Sequence, residues 1–185
     1  MDKISRIISI PKPLWKLHGR KAYLIDLLLT YFMAVLVAVV NVVLSASMPA
    51  WQVVLLVVLS LDIGGGAVSN FTSGTIEFYK KSDLSPYTFI WLHLLQAGLL
   101  LCIYWSVKSQ IILLAFLILV LSSLVIRVRE VSYKRQLSIF LFAVFVLIMF
   151  SLSDLPKPPC ILLVLMGLKL IVGFSGHWKG SRKQG

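Results

Sequence analysis

The sequence predicts an all-α polytopic membrane bundle of six transmembrane helices with both termini cytoplasmic, and three observations carry that expectation. Of the 185 residues, 59% are hydrophobic and the mean hydropathy is +0.94, well beyond the composition of a soluble domain. The apolar residues fall into six runs, each near the ~20 residues needed to cross a bilayer. Only 14% of residues are charged, yet the formal net charge is +11. The basic residues must therefore sit in short connecting segments, as Lys and Arg do in cytoplasmic loops. On a soluble face such a charge would suggest nucleic acid. Here it is scattered between apolar runs, and no nucleic-acid partner is expected.

Taken in order, residues 1–23 read as a cytoplasmic, basic interfacial segment. Lys3, Arg6, Lys12, Lys16, Arg20 and Lys21 alternate with Ile4, Ile7, Ile8, Ile10, Leu14 and Trp15. That mixture suits the headgroup plane, although Pro11 and Pro13 forbid one continuous helix. The alternative is a solvated basic tail. A signal peptide is set aside because the charged region is too long and the next apolar run spans a membrane fully. Ser45-Ala46-Ser47 only weakly imitates a cleavage site.

The six spans are expected at 24–45, 50–69, 86–107, 110–126, 137–153 and 159–174, forming one domain over 24–175. Five spans with one re-entrant piece is the alternative. Residues 176–185 read as a cytoplasmic basic tail. Fifteen of the eighteen Lys and Arg fall in the amino-terminal segment, the second and fourth connections and the tail. The other side has only Lys108 and Lys157, and Lys169 lies inside the sixth span. This bias places both termini in the cytoplasm. The motif Asn70-Phe71-Thr72 then falls on the wrong side for glycosylation and is coincidental. A bacterial plasma membrane is expected, because the chain is compact and has no organelle-targeting or retention signal.

Helical rise makes depths comparable. Asp62 lies about 10 Å inside the cytoplasmic exit of the second span, and His93 and Lys169 reach a similar depth from their own ends. Gln96, three residues after His93, faces the same way. An acid inside an apolar run is costly unless paired, so Asp62 is a functional candidate with His93 or Lys169 as its partner. A packing clamp, with Lys169 snorkelling to the headgroups, is the bland alternative. Gly64, Gly65 and Gly66 weaken the second span and admit close approach, which suggests either a pocket or tight helix packing. The run lacks the preceding strand and spacing of a phosphate loop. Beyond it, Ser69, Asn70, Thr72, Ser73, Thr75, Glu77, Tyr79, Lys80, Lys81 and Asp83 could hold an anion or headgroup, or be an ordinary polar loop.

Several chemistries are excluded by counting. Seven acidic residues, only Asp62 deep in a span, are too few for a two-metal phosphotransfer site. His93 is the one intramembrane histidine of three, which argues against a buried zinc hydrolase. Cys102 lies more than two turns from His93, so a Cys–His nucleophile is not expected. Cys102 and Cys160 could pair only if the third and sixth spans touch at the outer face. No metal and no cofactor is expected.

The candidate ligand-binding residues are therefore Asp62, Gly64, Gly65, Gly66, Asn70, His93, Gln96 and Lys169, with Asp62 and His93 the candidates for proton transfer. The first reading is a small transporter or solute-binding membrane module with a polar site in the cytoplasmic half of the bilayer. In length and six-span layout the chain resembles the substrate-binding subunits of energy-coupling-factor transporters, and Ala34 and Ala38 form a small-xxx-small pair in its first span. That resemblance is one of size and topology. The second reading is a membrane enzyme acting on a lipid or isoprenoid at the cytoplasmic leaflet, with Asp62 and His93 as acid and base. The third is a structural or accessory subunit. Expected partners are membrane lipids, a small-molecule or lipid ligand, and a partner subunit or a second copy of the chain.

Overall fold

The computed structural model describes residues 6–152 and 154–178. Lys3, Lys179, Arg182 and Lys183, counted above among the cytoplasmic basic residues, lie outside them, as does Ser153 at the end of the fifth expected span. Six helical segments are long and apolar enough to cross a membrane, which is compatible with a multi-pass membrane protein.

Residues 6–23 fold into a short hairpin. Strand β1 (Ile7–Ser9) pairs antiparallel with β2 (Lys21–Tyr23), with Ile8 opposite Ala22. Between them lie a 3-10 turn at Lys12–Leu14 and the single-turn helix α1 (Trp15–His18). Pro11 and Pro13 fix the extended entry and the tight turn, so a long helix cannot start there. The hairpin closes through Gly19 at φ 74, a conformation that side chains resist.

β2 leads directly into α2 (Leu24–Val43), whose first turn carries Asp26 where the helix dipole favours an acid. After a short turn, α3 (Ala50–Ser69) returns as one continuous helix. The expected weakening at Gly64–Gly66 does not interrupt it, because tertiary packing replaces the missing side chains. An added Cβ at Gly64 would lie 3.0 Å from Val37 and 3.2 Å from the Met33 carbonyl, and one at Gly65 would lie 3.4 Å from Ala34. Small residues thus bring α2 and α3 into close contact, as in membrane helix pairs generally.

The short helix α4 (Ser73–Lys80) follows, and the third span is broken into α5 (Pro86–Leu92) and α6 (Leu94–Ile103). A 3-10 turn at Trp105–Val107 leads to α7 (Lys108–Arg127), and α8 (Val131–Leu152) starts six residues before the expected position 137. The extra turn contains Lys134, which is buried with Nζ donating to the Trp178 carbonyl at 2.6 Å. The last span is α9 (Lys157–Gly167) continued by a π-helical segment, Leu168–Ser175. It is the centre of the bundle: 72% of its apolar window is buried, against 22% for α8. Leu162, Leu163, Leu170 and Ile171 pack there against Ile63, Ile118, Val125, Phe145 and Met149. Cys102 and Cys160 are not joined in a disulfide, and Cys160 Sγ donates to the Leu155 carbonyl at 3.6 Å.

The hairpin, α4, the α7–α8 turn and the end of the last span share one end of the bundle. Tyr79 on α4 bonds the Lys16 carbonyl and packs edge-on against Phe174, and Lys134 reaches Trp178. At the opposite end, Tyr104 Oη approaches Met48 Sδ at 3.9 Å.

His18 ties the hairpin to α2, with Nε2 3.0 Å from the Tyr31 hydroxyl. Burial holds its imidazole below the ordinary value of 6.5. The folded state therefore disfavours the proton that the unfolded state takes up. The stabilisation is full above about pH 6.5 and is lost as pH falls below it. Melting temperature is expected to fall on acidification through that range in the wild type and to fall less in His18→Phe. Parallel curves for the two proteins would remove His18 as the cause.

Candidate functional site

Asp62 sits on α3 one turn before Gly66, with its carboxylate at the head of a cleft of about 270 Å3 between α3, α5, α6 and the hairpin. Lys169 Nζ donates to Asp62 Oδ1 at 3.2 Å, and Gln96 Nε2 donates to the other oxygen. The two charges are unequally placed. The Asp62 side chain is 44% exposed, the Lys169 side chain only 6%.

Three local features put these groups together. The first is Gly66. An added Cβ there would lie 2.4 Å from Lys169 Cε and 2.8 Å from Nζ, so the lysine reaches the acid only because this position has no side chain. Gly66→Ala is expected to displace the flexible lysine tail rather than the helices. It should lower the melting temperature and abolish whatever depends on the ion pair; an unchanged Asp62 environment by NMR would refute that role.

The second feature is the π-helical segment carrying Lys169. Such widened turns often occur at functional sites. Here Asn70 Nδ2 donates to the Lys169 carbonyl at 3.1 Å. Gly173 lets the end of α3 come close, since a Cβ there would lie 3.0 Å from that of Asn70.

The third is the break at His93, which contains neither Pro nor Gly. The His93 amide turns to the Ile90 carbonyl at 3.1 Å, while its own Nδ1 takes the Phe89 carbonyl at 2.9 Å. A side chain inserted into the hydrogen-bond ladder is a recognised cause of a kink. A carbonyl only accepts, so Nδ1 carries the proton and the neutral ring keeps Nε2 as an acceptor. His93 lines the same cleft.

Aromatic rings form one wall. Phe89 stacks on Phe174 at 4.2 Å, and Tyr79 meets both edge-on. The hairpin forms the roof. Tyr79 Oη donates to the Lys16 carbonyl at 3.0 Å and Thr75 Oγ1 to that of Leu17 at 2.8 Å, and both Lys16 and Leu17 line the cleft. Burial pushes the Tyr79 hydroxyl above its ordinary range, with the Asp62 charge adding to the effect. It stays protonated and able to donate.

The structure thus gathers Asp62, Gly66, Asn70, His93, Gln96 and Lys169 around one cleft. The acid's direct partners are Lys169 and Gln96. Gly64 and Gly65 instead face α2, Gly64 against Val37 and Met33 and Gly65 against Ala34 and Thr30. Part of the polar run after α3 is bonded into the fold. Thr72 Oγ1 lies 2.8 Å from the Ser69 carbonyl and 3.0 Å from Thr75 Oγ1, whose hydroxyl holds the hairpin. Glu77 pairs with Lys81, which holds its carboxyl below the usual range. Thr72 and Thr75 thus serve the roof, whereas Glu77 and Lys81 are exposed and, with Arg20, Lys21, Ser82 and Asp83, line a separate open cavity of about 520 Å3. Lys16, Leu17 and Phe89 are cleft residues that sequence reasoning missed, because only the docked hairpin and the kink bring them there. Among the described residues no cluster of three or more His, Cys, Asp or Glu could hold a metal. Compared with protein-family models, curated proteins and solved structures, the chain matches none of them.

Proposed function

We propose that this chain is a small membrane transporter or solute-binding membrane module whose ligand enters the cleft at Asp62. The observation that supports it is the asymmetric ion pair: a carboxylate nearly half open to a cleft, held by an ammonium buried behind it. A mostly apolar cleft with a few converging polar groups is the usual form of a ligand site. A ligand bearing a hydrogen-bond donor competes with Lys169 and Gln96 for the carboxylate, so occupancy is coupled to the contact between α3 and the last span. The positive-inside bias puts the hairpin end in the cytoplasm, and with it the cleft. Asp62 and His93 are the proton carriers in this reading.

The test is mass spectrometry of what co-purifies in nanodiscs with the wild type and with Gln96→Met, which keeps both charges, alongside their melting temperatures. Loss of a retained ligand from a variant that melts normally supports the reading. A ligand retained by both removes Gln96 from the site, and no ligand on either protein while Gln96→Met melts clearly lower refutes the reading in favour of a packing role.

The fixed His93 tautomer favours a second reading, an acid–base enzyme acting on a lipid at the same cleft. Nε2 is then the base and a proton passes through Asp62. That reading expects a changed lipid profile in His93→Phe, where transport alone expects none.

A further inference from the structure

The Asp62 cleft has a neighbour on the other side of α3. A groove of about 330 Å3 runs between α2 and α3, and it shares Leu17, Asp62, Gly66 and Ser69 with the polar cleft. The rest of its lining is largely hydrocarbon, including Tyr31, Ala34, Val58 and Leu61. Tyr31, Val58 and Leu61 are 51%, 53% and 40% exposed, so the groove opens sideways on the outer face of the helix pair. In a bilayer that rim meets acyl chains. One carboxylate therefore stands where the cleft that gathers the polar groups joins a groove with almost none.

The chemistry of the junction selects the head of a ligand. An incoming molecule meets the Asp62 carboxylate before the Lys169 ammonium, because the first is 44% exposed and the second 6%. Around Asp62 the remaining open capacity is mostly for accepting hydrogen bonds, while the exposed Lys16 lies at the hairpin end of the cleft. Gln96 Oε1 is buried without a partner, as is the Thr30 hydroxyl in the groove. His93 is held with Nδ1 donating to Phe89, which leaves Nε2 as an acceptor. A buried acceptor without a donor is costly, and a ligand that supplies N–H groups relieves that cost. The Phe89 and Tyr79 rings in the cleft wall also suit a cation.

We propose that the site takes an ammonium-headed amphiphile, with its N–H donors on Asp62 in the polar cleft and its hydrocarbon tail in the groove between α2 and α3. This rests on the ligand-binding reading above and names the class of ligand. The same head chemistry is offered by an aminolipid of the bilayer and by a free long-chain amine. A carboxylate or phosphate head would meet the exposed acid, and a trimethylammonium head has charge but no donor.

The experiment uses the full chain in phosphatidylcholine nanodiscs, whose headgroups lack N–H donors. Binding of octylamine, octyltrimethylammonium, octanoate and methylamine is measured by native mass spectrometry. Octylamine is expected to bind about tenfold more tightly than octyltrimethylammonium or octanoate, the scale of one charge-assisted hydrogen bond. Asp62→Asn should remove that preference. Val58→Trp, at an exposed rim position, should weaken octylamine by a similar factor and leave methylamine unchanged. Competition by added phosphatidylethanolamine assigns the aminolipid as the source, and octylamine binding without such competition assigns the free amine. Octanoate or octyltrimethylammonium binding as tightly as octylamine overturns the inference while leaving a ligand site in the cleft. Octylamine affinity unchanged in both variants overturns it as simple partition into lipid. No binding of any probe to the wild type overturns the ligand-binding reading itself.

Discussion

Asp62→Asn is expected to destabilise the protein more than Lys169→Met, and the double variant to recover much of the loss. The prediction follows from the unequal burial of the pair. Removing the acid leaves an ammonium that is only 6% exposed, whereas removing the lysine leaves a carboxylate that is 44% exposed. A buried charge stripped of its partner costs roughly 3 kcal/mol or more, while an exposed pair is worth about 1 kcal/mol or less. For a chain of this length the first corresponds to a fall in melting temperature of roughly 6–12 °C. The double variant has neither charge to strand. Melting in nanodiscs checks this directly, and Lys169→Met proving equally or more destabilising would refute it.

Gly74→Ala and Gly19→Ala are expected to detach the hairpin while leaving the spans helical. A Cβ at Gly74 would lie 2.3 Å from the Lys21 carbonyl oxygen and 2.5 Å from that of His18. One at Gly19 would lie 2.1 Å from the Gly74 carbonyl oxygen. All three are backbone atoms, which cannot step aside as the Lys169 tail can. Gly19 also has φ 74 and ψ −174, a region in which a side chain costs roughly 1–3 kcal/mol. The substitutions should therefore break the Tyr79–Lys16 and Thr75–Leu17 contacts and unroof the cleft. Limited trypsin digestion should cut at Arg20 or Lys21 many times faster in the variants, with unchanged helicity by circular dichroism. Equal protection in wild type and variants would show that the hairpin is held elsewhere.

The apolar spans were legible because burial in lipid demands one kind of residue for some twenty positions in a row. The second span even has the expected bounds, Ala50–Ser69. Asp62 and Lys169 were legible as the exceptions within such runs. What the sequence concealed depends on single contacts between distant segments. The hairpin docks through Gly19 on Gly74 and through Tyr79 on Lys16, and neither pair leaves a periodic trace. The break at His93 has no Pro or Gly to announce it; the competing donor is the imidazole itself. The three consecutive glycines read as one feature, yet they serve two purposes. Gly64 and Gly65 admit α2, and Gly66 admits a lysine from the last span. Lys134 looked like a loop charge because its acceptor, the Trp178 carbonyl, is 44 residues away.

The position of the last span at the centre of the bundle also bears on how the protein is made. Asp62 and Lys169 are separated by 107 residues. At about 5–20 residues per second, the acid leaves the ribosome roughly 5–20 s before the amine that neutralises it. During that interval α2 and α3 can already close on each other through Gly64 and Gly65, but the carboxylate has no counter-ion and the core has no centre. Of the six spans, the one at the centre of the bundle is therefore the last to join the others. A chain interrupted before α9 would present Asp62, Asn70 and the open side of α3 to whatever machinery surveys unassembled membrane segments.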